Sequence, residues 1–246
     1  MLVAGFPAGS FAANCYLVAP APGEECVIID PGQDAERGIE ELIDRYRLKP
    51  IAVLLTHGHI DHMWSVAPVC GAKGIPAYIH PDDRELLTDP AKGISLLANQ
   101  LGGFRGAVPP GKQSLGGLTF SEPDDVRELA DGEVIALAGL DFTIGHTPGH
   151  TPGSVTFGTP APSADDAPAL FSGDLLFAGS IGRTDLAGGD DAQMLRSLAK
   201  TLTLPDATIV LPGHGPSTTI GTERASNPFL TQLPPAQWSR PAQKGL

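Results

Sequence analysis

The segment THGHIDH at residues 56–62 constrains this chain more than any other feature, because it places three histidines and an aspartate within six positions. It directly follows the apolar run 51–55, which predicts a buried strand. Imidazole and carboxylate donors this dense at a strand end favour a metal of borderline softness, zinc first, over magnesium, calcium or a soft thiolate site. A polar active-site loop without metal and a histidine-rich surface turn are the alternatives.

Composition and charge narrow the class of protein. The chain has 246 residues, of which 41 % are hydrophobic and 18 % charged, as is ordinary for a soluble globular protein. Its formal net charge of −12 repels phosphate backbones, so we expect no nucleic-acid partner. The cysteines Cys15, Cys26 and Cys70 are odd in number and far apart, which predicts buried thiols rather than disulfides.

The N-terminal residues carry no targeting pattern. They lack a basic region before their apolar positions, and Pro7 and Gly9 interrupt them early. We therefore expect neither a signal peptide nor a segment that spans a bilayer. A cytoplasmic location without a membrane partner is the default expectation.

The first half of the chain alternates between strand and helix patterns. Short β-prone segments separated by turns predict an antiparallel meander over 1–6, 14–19 and 26–29. The elements predicted after this meander are a helix over 34–47, a strand at 51–55, a helix from 61 and a strand at 76–80. We expect Asp34 to cap the first helix and Pro68 to distort the middle of the second. This alternation indicates a layered α/β arrangement.

The second half shows more strand than helix. Strands are predicted at 133–138, 141–145, 154–157, 169–172 and 208–211. The first two form a hairpin. Apolar residues at helical spacing predict a core-packed helix over 191–202, capped by Asp190 or Asp191, and a short helix follows near 221–229.

Two regions carry weaker patterns. Between 81 and 128, glycine and proline interrupt everything except short helices at 86–87 and 94–101. Lids, binding loops and tolerated insertions are all compatible with that composition. We expect one folded domain over 1–232 and a frayed, proline-rich tail over 233–246.

Three further polar residues stand at strand ends beside glycine, namely His150 in TPGHTPG, Asp174 in FSGD and His214 in LPGHG. Glycine lets the backbone approach a small site closely and adopt positive φ. Each motif alone would indicate an ordinary structural residue, but their recurrence predicts that separate segments deliver donors to one site. His80 and His146 fall outside this pattern. Local packing or capping is expected for His80, and packing or support of a ligand for His146.

Together these motifs resemble the series found in the metallo-β-lactamase superfamily, over nearly the whole chain to about residue 230. Asp174 and the segment GRTDL at 182–186 are similar to the glyoxalase II branch, which contains the hydroxyacylglutathione hydrolases and their shorter relatives. Larger members of that branch hold glutathione with a basic C-terminal helical portion. This chain offers only Arg240 and Lys244 there, so it resembles the short, single-domain branch.

The resemblance implies an α+β fold, a four-layer αββα sandwich of two mixed β-sheets with helices outside and a metal site along one edge. The implied ligands are His57, His59 and His150 for one metal, Asp61, His62 and His214 for a second, and Asp174 as a bridge. A water or hydroxide would share the bridging position. The implied cofactors are two divalent ions, zinc first, with iron or manganese as alternatives.

Such a pair of cations suits hydrolysis of an ester, thioester, lactone or amide. Metal binding lowers the pKa of water from about 15.7 to about 7, which is worth roughly 12 kcal/mol towards forming hydroxide. Asp61 would ligate the second metal and also orient the attacking water or accept its proton. A metal would stabilise the oxyanion of the tetrahedral intermediate.

The leading hypothesis is a thiolesterase of glyoxalase II type that cleaves S-(2-hydroxyacyl)glutathione or a similar acyl-thiol with a bridging metal-bound hydroxide. Arg183 would bind a substrate carboxylate bidentately, or would instead form a structural ion pair with Asp185. The expected partner is the small-molecule substrate, and the protein would be a monomer or a small homo-oligomer.

Several alternatives stay open within and beyond this family. They are a persulfide dioxygenase with a single iron, and a lactonase or other ester hydrolase. A β-lactamase fits less well, because that branch usually lacks the bridging aspartate. A purely structural metal module is disfavoured, because structural sites are usually closed and four-coordinate.

Overall fold

Two mixed β-sheets form the centre of the protein in the computed structural model, which describes residues 1–94, 114–115, 118–163 and 166–231. The strands, in chain order, are β1 (Leu2–Ala8), β2 (Ala13–Ala19), β3 (Glu25–Ile29), β4 (Lys49–Leu54), β5 (Ala77–Ile79), β6 (Ser114–Leu115), β7 (Leu118–Thr119), β8 (Val126–Glu128), β9 (Val134–Leu137), β10 (Leu140–His146), β11 (Val155–Thr159), β12 (Ala169–Gly173), β13 (Leu176–Phe177), β14 (Ser180–Ile181), β15 (Ile209–Pro212) and β16 (Thr218–Thr219). The helices are α1 (Glu36–Tyr46), α2 (Ile60–Met63), α3 (Val66–Lys73), α4 (Asp191–Thr201) and α5 (Ile220–Ser226), and 3₁₀ helices cover Pro81–Leu87 and Pro90–Ile94.

Each of the two large sheets combines parallel and antiparallel pairs. The first has the order β1-β2-β3-β4-β5-β8, in which β1 to β3 form the predicted antiparallel meander and β3 to β8 run parallel. The second has the order β16-β15-β12-β11-β10-β9 and is parallel only between β12 and β15. Helix α1 lies in the crossover from β3 to β4, helices α2 and α3 lie in the crossover from β4 to β5, and helix α4 lies in the crossover from β12 to β15.

Hydrophobic clusters fill the spaces between four layers. Strand β3 shows the principle, because successive side chains of a strand point to opposite faces. Cys26 and Ile28 belong to the cluster that includes α1 and α3, whereas Val27 and Ile29 belong to the cluster between the two sheets. The third cluster, on the outer face of the second sheet, consists of Leu170, Leu175, Leu176, Met194, Leu198, Leu202, Val210, Ile220 and Leu230. The expected αββα sandwich is thereby confirmed.

Most predicted elements are present within a few residues of their expected bounds. Strands β9 and β10 form the predicted hairpin, which turns through Ala138 and Gly139 with φ of 52° and 70°. Helix α4 is capped by Asp190, whose side chain accepts a hydrogen bond from the backbone N–H of Gln193. The three cysteines are free and buried, as predicted.

The predicted cap of the first helix is wrong. Helix α1 begins at Glu36 with Ala35 as its N-cap, and no side chain caps it. Asp34 instead has a left-handed φ of 54°. It belongs to a turn in which the Ala35 N–H faces the Gly32 carbonyl at 3.4 Å and the Ser65 hydroxyl at 3.3 Å.

The prediction that Pro68 distorts the middle of a continuous helix is also wrong. The segment forms two helices, α2 and α3, which are separated at Trp64 and Ser65. The Ser65 N–H donates to the Pro31 carbonyl at 3.0 Å rather than extending α2. Pro68 lies in the first turn of α3, where its missing N–H breaks no helical hydrogen bond.

The short elements of the chain could not be read from periodicity. Strands β8, β13, β14 and β16 have two or three residues each, too few to show a pattern. The predicted helix at 86–87 is the end of the first 3₁₀ helix. The helix predicted over 94–101, apart from its first residue, and the tail over 233–246 lie outside the described residues.

No helix within the described ranges combines the length and the hydropathy needed to cross a bilayer. The cytoplasmic location expected from the sequence stays a prediction. The same holds for the oligomeric state.

Candidate metal centre

The predicted donors come from loops at one edge of the sandwich. The motif at 56–62 follows β4, Asp174 follows β12, His214 follows β15, and His150 lies between β10 and β11. Because β12 and β15 are parallel neighbours, their carboxyl ends meet at the same edge. An isolated bridge joins Ala13, at the start of β2, to His214. The two sheets therefore converge on one site.

The first donor group contains three buried histidines, His57, His59 and His150. One ring nitrogen of each lies within 4.8 Å of the others, and His59 Nδ1 is 2.8 Å from His150 Nε2. His57 Nδ1 contacts the Thr56 hydroxyl at 3.0 Å, and His150 Nδ1 contacts the main-chain carbonyl of Arg183 at 2.7 Å. These contacts leave Nε2 of both rings for the site.

The second donor group contains Asp61, His62 and His214. His214 Nε2 lies 3.3 Å from His62 Nε2 and 3.2 Å from Asp61 Oδ2. His62 Nδ1 lies 3.0 Å from Asp30 Oδ2, which fixes the ring with its other nitrogen facing the group.

Asp174 connects the two groups. Its Oδ1 lies 3.3 Å from His62 Nε2, while its Oδ2 lies 3.5 Å from His150 Nε2 and 3.7 Å from His214 Nε2. One carboxylate therefore faces donors of both groups at once. This is the geometry that a shared ligand requires.

The donor spacing fits metal ions. Nitrogen ligands about 2.0–2.1 Å from a tetrahedral zinc lie roughly 3.3 Å from each other, close to the separations of 3.3 and 3.2 Å in the second group. Among the described residues, His57 Nε2 and Asp174 Oδ1 are buried without a hydrogen-bond partner. Buried polar atoms are rarely left unpaired, and coordination would satisfy both.

Glycine allows the close approach of these loops. An ideal Cβ built on Gly213 would lie 2.2 Å from Asp174 Oδ1, so any side chain there would collide with the shared carboxylate. Gly173 has a φ of +48°, and its Cβ would lie 2.6 Å from the Thr56 hydroxyl.

The electrostatics of the site favour bound cations. Burial lowers the pKa of His57 well below its usual range, and neighbouring imidazoles lower it further. Burial, followed by a neighbouring imidazole, lowers the pKa of His59 to about 3. Burial also disfavours a charge on His62, but Asp61 and Asp174 outweigh it and raise that pKa. His57 and His59 therefore present neutral imidazoles, the ligating form, and positive charge is favoured where the carboxylates converge.

Asp30 is a functional residue that the sequence analysis missed. This buried carboxylate accepts hydrogen bonds from the Thr56 N–H at 2.8 Å and the Thr56 hydroxyl at 2.6 Å, and also contacts His62. It orients both ends of the histidine motif. Its position at the end of β3, before Pro31, was the available signal.

Asn14 was missed as well. Its backbone N–H donates to the Gly213 carbonyl at 2.7 Å, and its side-chain amide donates to the carbonyls of Pro212 and Gly215 at 3.0 and 2.9 Å. These bonds hold the loop that carries His214 against the first sheet.

Arg183 makes two different contacts. Its guanidinium binds Asp185 bidentately at 2.6 and 2.7 Å, and both side chains are largely exposed. Its main-chain carbonyl holds His150. The expected contact with a substrate carboxylate stays a prediction.

His80 and His146 form a stacked pair away from the two donor groups. With Asp82 they bring three donor atoms within 4.8 Å, but their rings lie 4.1 Å apart and only 8° from parallel. Imidazole lone pairs lie in the ring plane, so one ion cannot be coplanar with both rings. His80 accepts a hydrogen bond from the Asp82 N–H and caps the 3₁₀ helix, as predicted. His146 Nε2 lies 2.8 Å from the Pro152 carbonyl and supports the loop of His150.

Comparison with known families decides the classification. The model of the metallo-beta-lactamase superfamily matches residues 8–214 of the chain. The chain belongs to the metallo-β-lactamase superfamily. The family expected from the motifs is thereby confirmed.

Relatives in this superfamily align over nearly the whole chain. An uncharacterized protein of Mycobacterium tuberculosis is 50 % identical over 235 residues, covering 95 % of this chain and 99 % of the relative. The probable metallo-hydrolase YqgX of Bacillus subtilis is 38 % identical over 228 residues, covering 91 % and 95 %. The hydroxyacylglutathione hydrolase GloC of Haemophilus influenzae is 35 % identical over 225 residues, also covering 91 % and 95 %.

Solved structures of other proteins share the fold. The BLEG-1 B3 metallo-beta-lactamase has a TM-score of 0.75 and 39 % identity, covering 94 % of this chain and 100 % of its own. The di-iron-bound form of TTHA1623 has a TM-score of 0.69 and 40 % identity, covering 90 % and 97 %. ETHE1 from Myxococcus xanthus has a TM-score of 0.71 at 21 % identity, covering 97 % and 88 %, and supports the fold alone.

The family and the donor geometry agree. The protein is a metal-dependent hydrolase of the metallo-β-lactamase superfamily, with histidine and aspartate groups arranged to bind metal. An enzyme of this class acts on a small-molecule substrate.

Proposed function

We propose that the protein is a two-metal thiolesterase of glyoxalase II type that cleaves S-(2-hydroxyacyl)glutathione or a similar acyl-thiol. One ion would be held by His57, His59 and His150, a second by Asp61, His62 and His214, and Asp174 would bind both. The observation that carries the proposal is the position of Asp174, whose oxygens face donors of both groups. The similarity to GloC supports the substrate class.

Bound divalent cations would supply a water activated at neutral pH and would polarise the scissile carbonyl. Asp61 would orient that water and accept its proton. Its side chain is 21 % exposed, against 10 % for Asp174, so it is the site carboxylate more open to an incoming substrate. Zinc is the first choice of metal, with iron and manganese as alternatives for this donor set.

A thioester suits this arrangement better than an amide does. A thiol has a pKa of about 8.5, so its anion leaves near neutrality without a proton, whereas an amine leaving group must be protonated. Both site carboxylates face imidazole nitrogens, with Asp61 3.2 Å from His214 and Asp174 3.3 Å from His62. A thiolate leaving group therefore does not depend on the proton that Asp61 would accept.

Arg183 is the proposed contact for a substrate carboxylate. Its partner Asp185 is exposed, and exposed ion pairs contribute little to stability. A substrate carboxylate of matching bidentate geometry would therefore exchange readily with Asp185.

The decisive experiment measures metal content and thiol release together. The purified protein is stripped by a chelator and reloaded with zinc, iron or manganese, at one and at two equivalents. We expect thiol release from S-lactoylglutathione only in samples with both ions, and loss of one ion and of activity in His59→Ala. A fully loaded enzyme that releases thiol from neither acyl-glutathiones nor acyl-coenzyme A would remove the proposal.

β-Lactam hydrolysis is the second candidate, favoured by the 39 % identity to BLEG-1. The same preparations assayed on a chromogenic β-lactam test it, and turnover faster than on every thioester would reverse the ranking. A single iron per chain with oxygen uptake on glutathione persulfide would support a dioxygenase instead.

For the chain as a whole, we propose a catalytic domain over 1–232 with a tail over 233–246.

A further inference from the structure

A second buried carboxylate, Asp83, links two loops of the site without touching a predicted ligand ring. It lies in the 3₁₀ helix Pro81–Leu87 and is fully buried. Its Oδ2 accepts hydrogen bonds from the Gly58 N–H at 2.9 Å and the Thr151 hydroxyl at 2.6 Å. Its Oδ1 accepts a hydrogen bond from the Gly153 N–H at 2.7 Å. Both oxygens are therefore committed to the two loops.

The donors to Asp83 come from the two loops that carry the first donor group. Gly58 lies between His57 and His59, whereas Thr151 and Gly153 directly follow His150. The two loops contact each other through the His59 and His150 rings, whose nearest nitrogens lie 2.8 Å apart. Asp83 joins the same two loops through its hydrogen bonds.

The packing around Asp83 is close enough to fix the distance between the two loops. A Cβ on Gly153 would lie 2.6 Å from the Asp83 carboxyl carbon, and a Cβ on Gly58 would lie 2.9 Å from the Asp83 carbonyl oxygen. Glycine at both positions therefore permits the contacts. A buried carboxylate that accepts three hydrogen bonds has little freedom to move, so it fixes the loops that donate to it.

We infer that Asp83 is a positioning residue for the first metal, because it sets the separation between the loop that carries His57 and His59 and the loop that carries His150. This inference rests on the two-metal site proposed above. Asp30, by contrast, contacts His62 of the second group directly and reaches His57 of the first group through the Thr56 hydroxyl. Asp83 therefore supports the first group alone, whereas Asp30 supports both groups.

The test measures zinc binding by each donor group separately, after one ligand of the other group has been removed. Asp83→Asn keeps the size of the side chain but replaces one acceptor oxygen by an amide that faces a donor. In a His214→Ala background, which leaves the first group intact, we expect Asp83→Asn to weaken zinc binding by about 10–100-fold. In a His150→Ala background, which leaves the second group intact, we expect a change of less than about threefold. Zinc dissociation constants come from competition with a chelator, and cobalt absorption spectra report the ligand geometry.

Controls distinguish positioning from a general structural role. Asp82→Asn, on the same 3₁₀ helix and exposed, is the matched control and should leave both dissociation constants unchanged. Asp30→Asn should weaken zinc binding by both groups, because Asp30 contacts His62 and holds the Thr56 hydroxyl beside His57. Thr151→Val removes the hydrogen bonds of the Thr151 hydroxyl with Asp83 and with Ser154 at constant shape. It should produce a smaller shift in the same direction as Asp83→Asn, so the inference stays testable if Asp83→Asn does not fold.

Equal weakening of both groups by Asp83→Asn and by Thr151→Val, or no weakening of either, would overturn the inference. Selective weakening in a protein that hydrolyses no acyl-thiol would uphold it and remove the thiolesterase proposal. Wild-type protein that binds no metal would remove both.

Discussion

Replacing Gly213 by alanine tests the shared role of Asp174 with a single methyl group. Gly213 has no left-handed φ, so alanine meets no backbone strain there. The new Cβ would lie 2.2 Å from Asp174 Oδ1 and 2.7 Å from His62 Cε1. Carbon–oxygen contacts in proteins are about 3.3 Å or longer, so the carboxylate must retreat by about 1 Å.

A displacement of about 1 Å has a known effect on the catalytic rate. A misplacement of about 1 Å in a catalytic array lowers the rate by about 10²-fold, which corresponds to about 2.7 kcal/mol in transition-state free energy. Crowding in a packed region also lowers the free energy of unfolding by about 1–3 kcal/mol. We therefore expect kcat/KM on the thioester to fall by about 100-fold and affinity for at least one ion to fall by about tenfold or more.

The assay compares Gly213→Ala with Gly71→Ala. Gly71 lies in α3 with nothing within 4 Å of its Cβ. Alanine there should stabilise the protein by about 0.5–1 kcal/mol and leave activity unchanged, because glycine is a poor helix former. Metal content, kcat/KM and urea unfolding are measured for both. If Gly213→Ala keeps two tightly bound ions and full activity, Asp174 is not the shared ligand.

Three further predictions follow from the same geometry. Asp61→Asn should lower kcat by about 10²–10⁴-fold, because it removes the proton acceptor, and metal analysis shows whether the second ion is also lost. Arg183→Ala should raise KM for a carboxylate-bearing thioester by about tenfold with kcat within a factor of two, and equal KM values for wild type and variant would contradict the substrate contact. Gly149→Ala should lower the free energy of unfolding of the chelated protein by roughly 2–5 kcal/mol in a urea titration, because φ is +142° and the Cβ would lie 2.4 Å from the Met194 backbone. A loss below about 0.5 kcal/mol would contradict that estimate.

Local patterns in the chain predicted much of the fold. The helix α4 and the hairpin β9–β10 follow from side-chain spacing and turn residues, which act over a few positions. The N-terminal end of α1 was mispredicted for a tertiary reason, since the Ala35 N–H faces the hydroxyl of Ser65, 30 residues away. The break between α2 and α3 has the same origin in the contact of Ser65 with Pro31.

The candidate donors could be chosen from the sequence because each motif combines a ligating side chain with glycine at a strand end. What the sequence could not show is which groups hold those donors in place. Asp30 and Asn14 look like ordinary turn and strand residues, yet Asp30 contacts His62 and Asn14 bonds to the loop of His214. Their partners are 32 and 201 residues away.

The sequence by itself determined the donor types, the strand ends that carry them and the superfamily to which the chain belongs. Only the tertiary structure decided the arrangement around Asp83, whose partners Gly58 and Thr151 lie 25 and 68 residues away. The physical reason is range. Spacing and turn propensity act between neighbours along the chain, whereas the hydrogen bonds that position a metal site depend on how two sheets and their loops pack together.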